Sequence, residues 1–138
     1  MLQLEWKIIG DGRVKNSRAQ ALIEFVLILP ILIILLFAIV DFGNIFVTKS
    51  DLESKSKLAY DIISDNKDIT EDDLKSKIVS EIRKNDSKIN VTISFDNESE
   101  LLNLKLTKRV NIITPGLNLI IGYPYNASVE RVIKYDKQ

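Results

Sequence analysis

Between Phe25 and Val40 the chain runs sixteen residues without a charge. With Ala21, Leu22 and Ile23 the apolar stretch reaches twenty, interrupted once by Glu24. As an α-helix, twenty residues rise about 30 Å, the thickness of a bilayer's hydrocarbon core. No side of the run is polar, which excludes an amphipathic surface helix. So long and uniform a stretch reads as a membrane span rather than the core helix of a soluble domain. A cleaved secretory signal has a shorter apolar region followed by a small-x-small site. This run ends instead in Ile39-Val40-Asp41-Phe42. The reading is a retained membrane helix spanning Phe25 to Val40. Pro30 lies within it, removing one helical hydrogen bond and introducing a bend that lipid-embedded helices tolerate.

The charge distribution orients this span. The whole chain is balanced, with 19 basic and 19 acidic residues, so no general attraction to nucleic acid follows. Before the run, Lys7, Arg13, Lys15 and Arg18 face only Glu5 and Asp11. The basic end stays in the cytoplasm by the positive-inside rule, and residues after Asp41 lie on the far side of the cell membrane. Cys and His are both absent. Disulfides, thiol nucleophiles, most zinc sites and the commonest general base are thereby removed. No nucleophile motif such as Gly-x-Ser-x-Gly occurs, and no pair of acids stands out on one face. The expectation is a protein that is not an enzyme, with no cofactor, no metal and no small-molecule substrate.

Beyond the span the pattern is α+β. The helix is expected to continue from about Gln20 to Ser64, with Phe42, Ile45, Leu52, Ala59 and Ile63 forming a weak apolar stripe and Lys49 and Ser56 filling its gaps. Asp41, Asn44 and Lys49 mark the exit into water. After a polar break at residues 64–68, Thr70 fits an N-cap, with Glu71, Asp72 and Asp73 in the first helical turn. Leu74, Ile78 and Ile82 then predict a short amphipathic helix from Glu71 to Lys84. The acidic triplet lacks the spaced ligands and glycine of a calcium loop. From Lys88 the period becomes two. Ile89, Val91, Ile93 and Phe95 form one strand, residues 96–100 turn, and Leu102, Leu104, Leu106, Val110 and Ile112 form a second, antiparallel to it. Lys108 falls on the apolar side of that strand and suggests a bulge or a sheet end. Residues 114–122 read two ways: Pro115-Gly116 as a turn, or, the favoured reading, Thr114 as the cap of a single helical turn with Pro115 at its first position and Gly122 ending it. Leu117, Ile120 and Ile121 would share one apolar face, completing the core or docking another protein. Residues 125–135 read as a third strand. The expected organisation is a leader at 1–19, a long helix at 20–64, and a small domain at 65–138 with a short helix and a three-stranded antiparallel sheet.

Glu24 is the anomaly. A carboxylate in hydrocarbon costs about 2.5–3.5 kcal/mol on insertion scales. Two readings are open from the residues themselves. Either Glu24 sits at headgroup level, with the span starting at Phe25, or it pairs with a positive group supplied from elsewhere.

The stretch from Ser17 to Phe46, "SRAQALIEFVLILPILIILLFAIVDFGNIF", resembles the N-terminus of TadE-like proteins, minor pseudopilins of tight-adherence (Tad/Flp) pilus systems. Their hallmark is a basic leader, a small residue, and a Gln-Ala-Leu-x-Glu-Phe-like start to a hydrophobic helix. Arg18, Ala19, Gln20, Ala21, Leu22, Ile23, Glu24 and Phe25 occupy those positions. The resemblance implies a long pilin-like helix and cleavage between Ala19 and Gln20 by a prepilin peptidase. It implies as partners other pilins, the Tad assembly platform and membrane lipid. The family usually places Gly before the cut, where this chain has Ala19. On this resemblance Glu24 becomes the fifth residue of a mature chain, four residues from a new α-amine on Gln20, and with Phe25 it opens the packing helix. An uncleaved single-pass anchor with a protein-binding outer domain is the alternative.

Overall fold

A computed structural model describes the backbone of residues 2–135 and the side chains of residues 16–135. The elements in order are α1 (Leu2–Asp65), α2 (Glu71–Arg83), β1 (Asn90–Asp96), β2 (Leu101–Val110), α3 (Leu117–Ile121) and β3 (Tyr125–Lys134). The three strands form one antiparallel sheet in the order β1-β2-β3. This is the α+β arrangement expected from the sequence. Two compact units divide the chain, one through Ile39 and one from Val40 onward.

Helix α1 begins at Leu2, well before the expected start near Gln20. Residues 2–19 contain no proline, and Gly10 and Gly12 each weaken a helix by only about 1 kcal/mol. The C-terminal end falls one residue from the expected Ser64. There the Asn66 side chain donates to the Ile62 carbonyl at 2.8 Å, satisfying one of the orphan acceptors of the last turn. The Asn66 side-chain oxygen in turn accepts from Lys77 on α2 at 2.8 Å.

In the unit from Val40 onward, the outer part of α1 packs into the domain core. Leu52, Ala59 and Ile63 are buried, and Ile45 is partly buried against the same cluster. Ser56 lies on this stripe and is fully buried. Its hydroxyl donates to the Glu53 carbonyl at 2.8 Å, so no polar atom is stranded there. Two expected members of the stripe lie elsewhere. Phe42 is 58% exposed, and Lys49 is exposed while Thr48 takes the inward position. The inward stripe is therefore Asp41, Ile45, Thr48, Leu52, Ser56, Ala59 and Ile63, a regular alternation of three- and four-residue steps.

Thr70 caps α2 as the sequence predicts. Its hydroxyl oxygen accepts from the Asp73 amide at 3.3 Å and donates to the Asp73 carboxylate at 2.7 Å. The acid at this position thus completes a reciprocal cap. Leu74, Ile78 and Ile82 are fully buried beneath the helix.

The sheet follows the two-residue period. Ile93, Leu102, Leu104, Leu106, Val110, Ala127 and Ile133 face the core, while Thr92, Ser94, Asn103, Lys105 and Glu130 face outward. Across β2 and β3, Lys105 pairs with Glu130 at 2.9 Å on the outer face. Strand β2 stops at Val110, so Ile112 lies in the following connection rather than in the strand.

Lys108 produces no bulge, but it does mark a sheet end: the β1–β2 ladder stops at the Asn90–Thr107 pair, while the register against β3 continues unbroken opposite Ala127. The Lys108 ammonium pairs with Asp86 in the α2–β1 connection, a partner 22 residues away. That hydrogen bond from Lys108 holds the Asp86 carboxyl below its ordinary value of 3.8, against the cost of burial and with help from the Lys88 amide. A carboxylate with a lowered folded pKa stabilises the fold fully above its unfolded value, near 3.9. The contribution disappears as pH falls through the lowered value. We therefore predict that Asp86→Asn destabilises the protein by a constant amount above about pH 5, and that the gap from wild type narrows steadily below about pH 4. Denaturant unfolding across pH 2.5–7 measures this directly.

Candidate functional site

Two regions concentrate the unusual chemistry, one in each unit.

The first is the stretch from Arg18 to Val40. Arg18, Ala19 and Gln20 lie on α1 with exposed side chains, and the Ala19–Gln20 peptide bond is helical. Gln20 and Glu24 share a face, as residues four apart on a helix must. The Gln20 amide donates to Glu24 Oε1 at 3.4 Å. Between Arg18 and Lys49 the sequence has no Lys or Arg to pair with Glu24. Phe25 is 57% exposed and Val40 50% exposed. Pro30 is accommodated inside the helix without ending it. Having no amide hydrogen, it leaves the Val26 carbonyl without its usual donor four residues on. The most apolar eighteen-residue window of this helix is 0% buried within the protein. A soluble core helix would be buried, whereas this window is not covered by the rest of the described chain. The helix is long and apolar enough to cross a membrane, and it fits a single-pass anchor.

The second region begins at Asp41, immediately after the charge-free run. Asp41 is 0% exposed, although the sequence pattern places it at the exit into water. Its carboxylate is held by the start of the β2–α3 connection. The Ile113 amide donates to Oδ1 at 2.9 Å and to Oδ2 at 3.1 Å. The Thr114 amide donates to Oδ2 at 2.7 Å, and the Thr114 hydroxyl donates to the same oxygen. Two successive backbone amides and a hydroxyl thus form a small anion-binding nest around a side chain 72 residues away. An ionised carboxylate only accepts, which matches a set made entirely of donors. Hydrogen bonds to charged groups contribute about 1.5–3 kcal/mol each, and this buried group needs them to offset desolvation.

The nest also settles the conformation of residues 114–122. Thr114 is not the cap of α3: its hydroxyl donates to Asp41, and Pro115-Gly116 form the turn that precedes the helix. The N-cap of α3 is Gly116, in the left-handed region at φ 79°, and Pro115 lies before the helix rather than at its first position. Gly122 ends α3 as expected, with φ 84°. The apolar side of α3 is divided. Leu117 and Ile121 are half-buried, while Ile120 is 82% exposed and Leu119 is 91% exposed. The expected trio of Leu117, Ile120 and Ile121 therefore does not act as one core-facing surface. Five residues are too few for a helix to bury a full stripe.

Sequence reasoning missed Asp41. One signal could have found it: extending the inward stripe backward from Ile45 by four residues lands on Asp41 rather than on Phe42.

Removing the Asp41 carboxylate strands two amides and a hydroxyl. Asp41→Ala is expected to cost about 2–3 kcal/mol and to lower the melting temperature of the outer domain by roughly 10–20 °C. Asp41→Asn, which retains one acceptor oxygen, is expected to lose less. Near-ultraviolet circular dichroism melts of the full chain in detergent micelles check both.

Residues 19–54 match the family model described as TadE-like protein. The matched segment includes Ala19, Gln20, Glu24, Pro30 and Asp41, and over that segment the chain is similar to the TadE-like family. No curated protein and no solved structure matches the chain.

Proposed function

From this TadE-like segment, we propose that the protein is a minor pilin or pseudopilin, a structural subunit in assembly of a Tad-type surface pilus. The observation that carries the reading is the coincidence of three features within residues 19–54. These are the family match, a fully uncovered apolar helix, and one carboxylate near the start of that helix. On this reading the basic leader remains in the cytoplasm and the domain from Val40 onward stands on the opposite side of the cell membrane. The subunit performs no catalysis. Its partners are other pilins, the Tad assembly platform, membrane lipid, and the prepilin peptidase that processes it.

The proposed chemistry is as follows. Hydrolysis of the Ala19–Gln20 bond releases the leader and creates a cationic α-amine on Gln20. Glu24 lies one helical turn from that amine. Within hydrocarbon the carboxylate pairs with its own amine or with that of a neighbouring subunit. Because either charge is costly alone, the pairing fixes the register in which helices pack. A pair worth only about 1.4 kcal/mol would change subunit association tenfold. Glu24→Ala is accordingly expected to reduce incorporation into sheared pili by roughly tenfold or more while leaving membrane insertion intact. Unchanged incorporation in quantitative immunoblots would remove the register role.

A second reading keeps the leader in place, making the protein an uncleaved single-pass anchor that holds a partner in a secretion system. Two observations favour it. Ala19 stands where the family usually has Gly, and the bond to be cut lies inside a continuous helix, so a protease that reads extended backbone must first unwind it. Intact-mass measurement of the purified protein distinguishes the two. Pilin processing predicts a chain beginning at Gln20 when the peptidase is present and at Met1 when it is deleted. A chain beginning at Met1 in both backgrounds supports the anchor.

A further inference from the structure

The β2–α3 connection and α3 make a second uncharged stretch in this chain. From Val110 to Val129 there are twenty residues and no Asp, Glu, Lys or Arg, in a sequence that is 28% charged overall. Much of its apolar surface is uncovered. Leu119 and Ile120 are 91% and 82% exposed, and Ile113 is 56% exposed. Gly116 and Gly122, both at positive φ, frame α3, which carries the exposed Leu119 and Ile120.

The position of this loop is fixed by Asp41. Ile113 and Thr114 are bonded directly to that carboxylate, and Asp41 follows the last residue of the apolar run. The helix surface just beyond Asp41 is itself apolar and uncovered, with Phe42, Phe46 and Val47 at 58%, 74% and 66% exposed. Phe46 lies five residues past Asp41, a rise of about 7.5 Å. The headgroup layer on one side of a bilayer is roughly 5–8 Å deep, so exposed apolar residues on this part of α1 fall at that level. The loop tied to Asp41 starts at the same level. Beside it, Arg109 Nη2 donates to the Tyr123 hydroxyl at 2.6 Å, and its guanidinium lies 5.1 Å from the centre of the Tyr123 ring. Tyrosine with an adjacent cation is the composition of a membrane–water interface, where the ring lies among headgroups and the cation faces phosphates.

We propose that α3 is an interfacial anchor. Leu119 and Ile120 insert into the outer edge of the same bilayer that α1 crosses, Tyr123 and Arg109 lie at headgroup level, and the Asp41 nest holds the loop against the membrane surface. The domain is thereby held to the bilayer at two points, the span and the loop. The inference requires the membrane span but not leader cleavage or pilus assembly, so it stands or falls separately from the pilin reading.

The absence of cysteine makes the test clean. Full-length Leu119→Cys and, separately, Ile120→Cys are spin-labelled and reconstituted in phosphatidylcholine vesicles at a high lipid-to-protein ratio. Asn103→Cys, on the outward polar face of the sheet, serves as the aqueous reference. Collision with oxygen, which concentrates in lipid, is compared with collision with a water-soluble nickel chelate. The proposal predicts that labels at 119 and 120 collide with oxygen at least several-fold more, and with nickel several-fold less, than the label at 103. Nickel accessibility equal to that at 103 would place the loop in water and overturn the proposal. Protection from both reagents would also overturn it, showing that the surface is covered by protein, a second copy of this chain being the only one in the vesicles.

Discussion

One buried carboxylate organises the outer part of this molecule. Asp41 lies where the apolar run ends, and it accepts every hydrogen bond offered by the Ile113 and Thr114 amides and the Thr114 hydroxyl. A buried charge without such partners would cost several kcal/mol, so helix and connection are obliged to meet there. The remaining contacts on α1 follow from that meeting. Ile45, Leu52, Ala59 and Ile63 continue the same helical face into the core formed with α2 and the sheet. The polar contact sets where the domain begins along the helix, and the apolar stripe sets which face it covers.

Two kinds of charge economy are visible along α1. Asp41 is satisfied within its own chain. Among the described residues Glu24 is met by a Gln20 amide at 3.4 Å, a long contact on an exposed surface. In water that is unremarkable, but in hydrocarbon a carboxylate attracts any available cation. The difference between the two acids explains why one reads as a structural element of the domain and the other as a residue awaiting a partner. A pilin-type maturation step would supply such a partner from the protein's own backbone.

Elements governed by local rules were legible in the sequence. Thr70 and Asp73 announce the start of α2, and Leu74, Ile78 and Ile82 give its period. Alternation from Ile89 to Phe95 and from Leu102 to Val110 gives the hairpin. What escaped depended on partners distant in sequence. Lys108 resembles a strand defect until Asp86 is placed beside it. Thr114 followed by proline resembles a helix cap, yet in the structure it holds the Asp41 carboxylate and Gly116 takes the cap position. In both cases a local rule described the residue correctly, and a charge brought in by tertiary structure took precedence. The segment that matches the TadE-like family model was legible because its signal is linear: a basic stretch, a small residue, and a carboxylate at the front edge of an apolar run.

The claim on which this account rests is that Asp41 clasps the 113–114 backbone throughout the life of the folded domain. Hydrogen exchange of the full chain in lipid nanodiscs, resolved to single amides, tests it most directly. The Ile113 and Thr114 amides lie outside any strand, yet the account predicts protection within about tenfold of the central-strand amides of Leu104 and Leu106, because opening them requires release of a buried carboxylate. Exchange as fast as in the exposed 96–100 turn would contradict it.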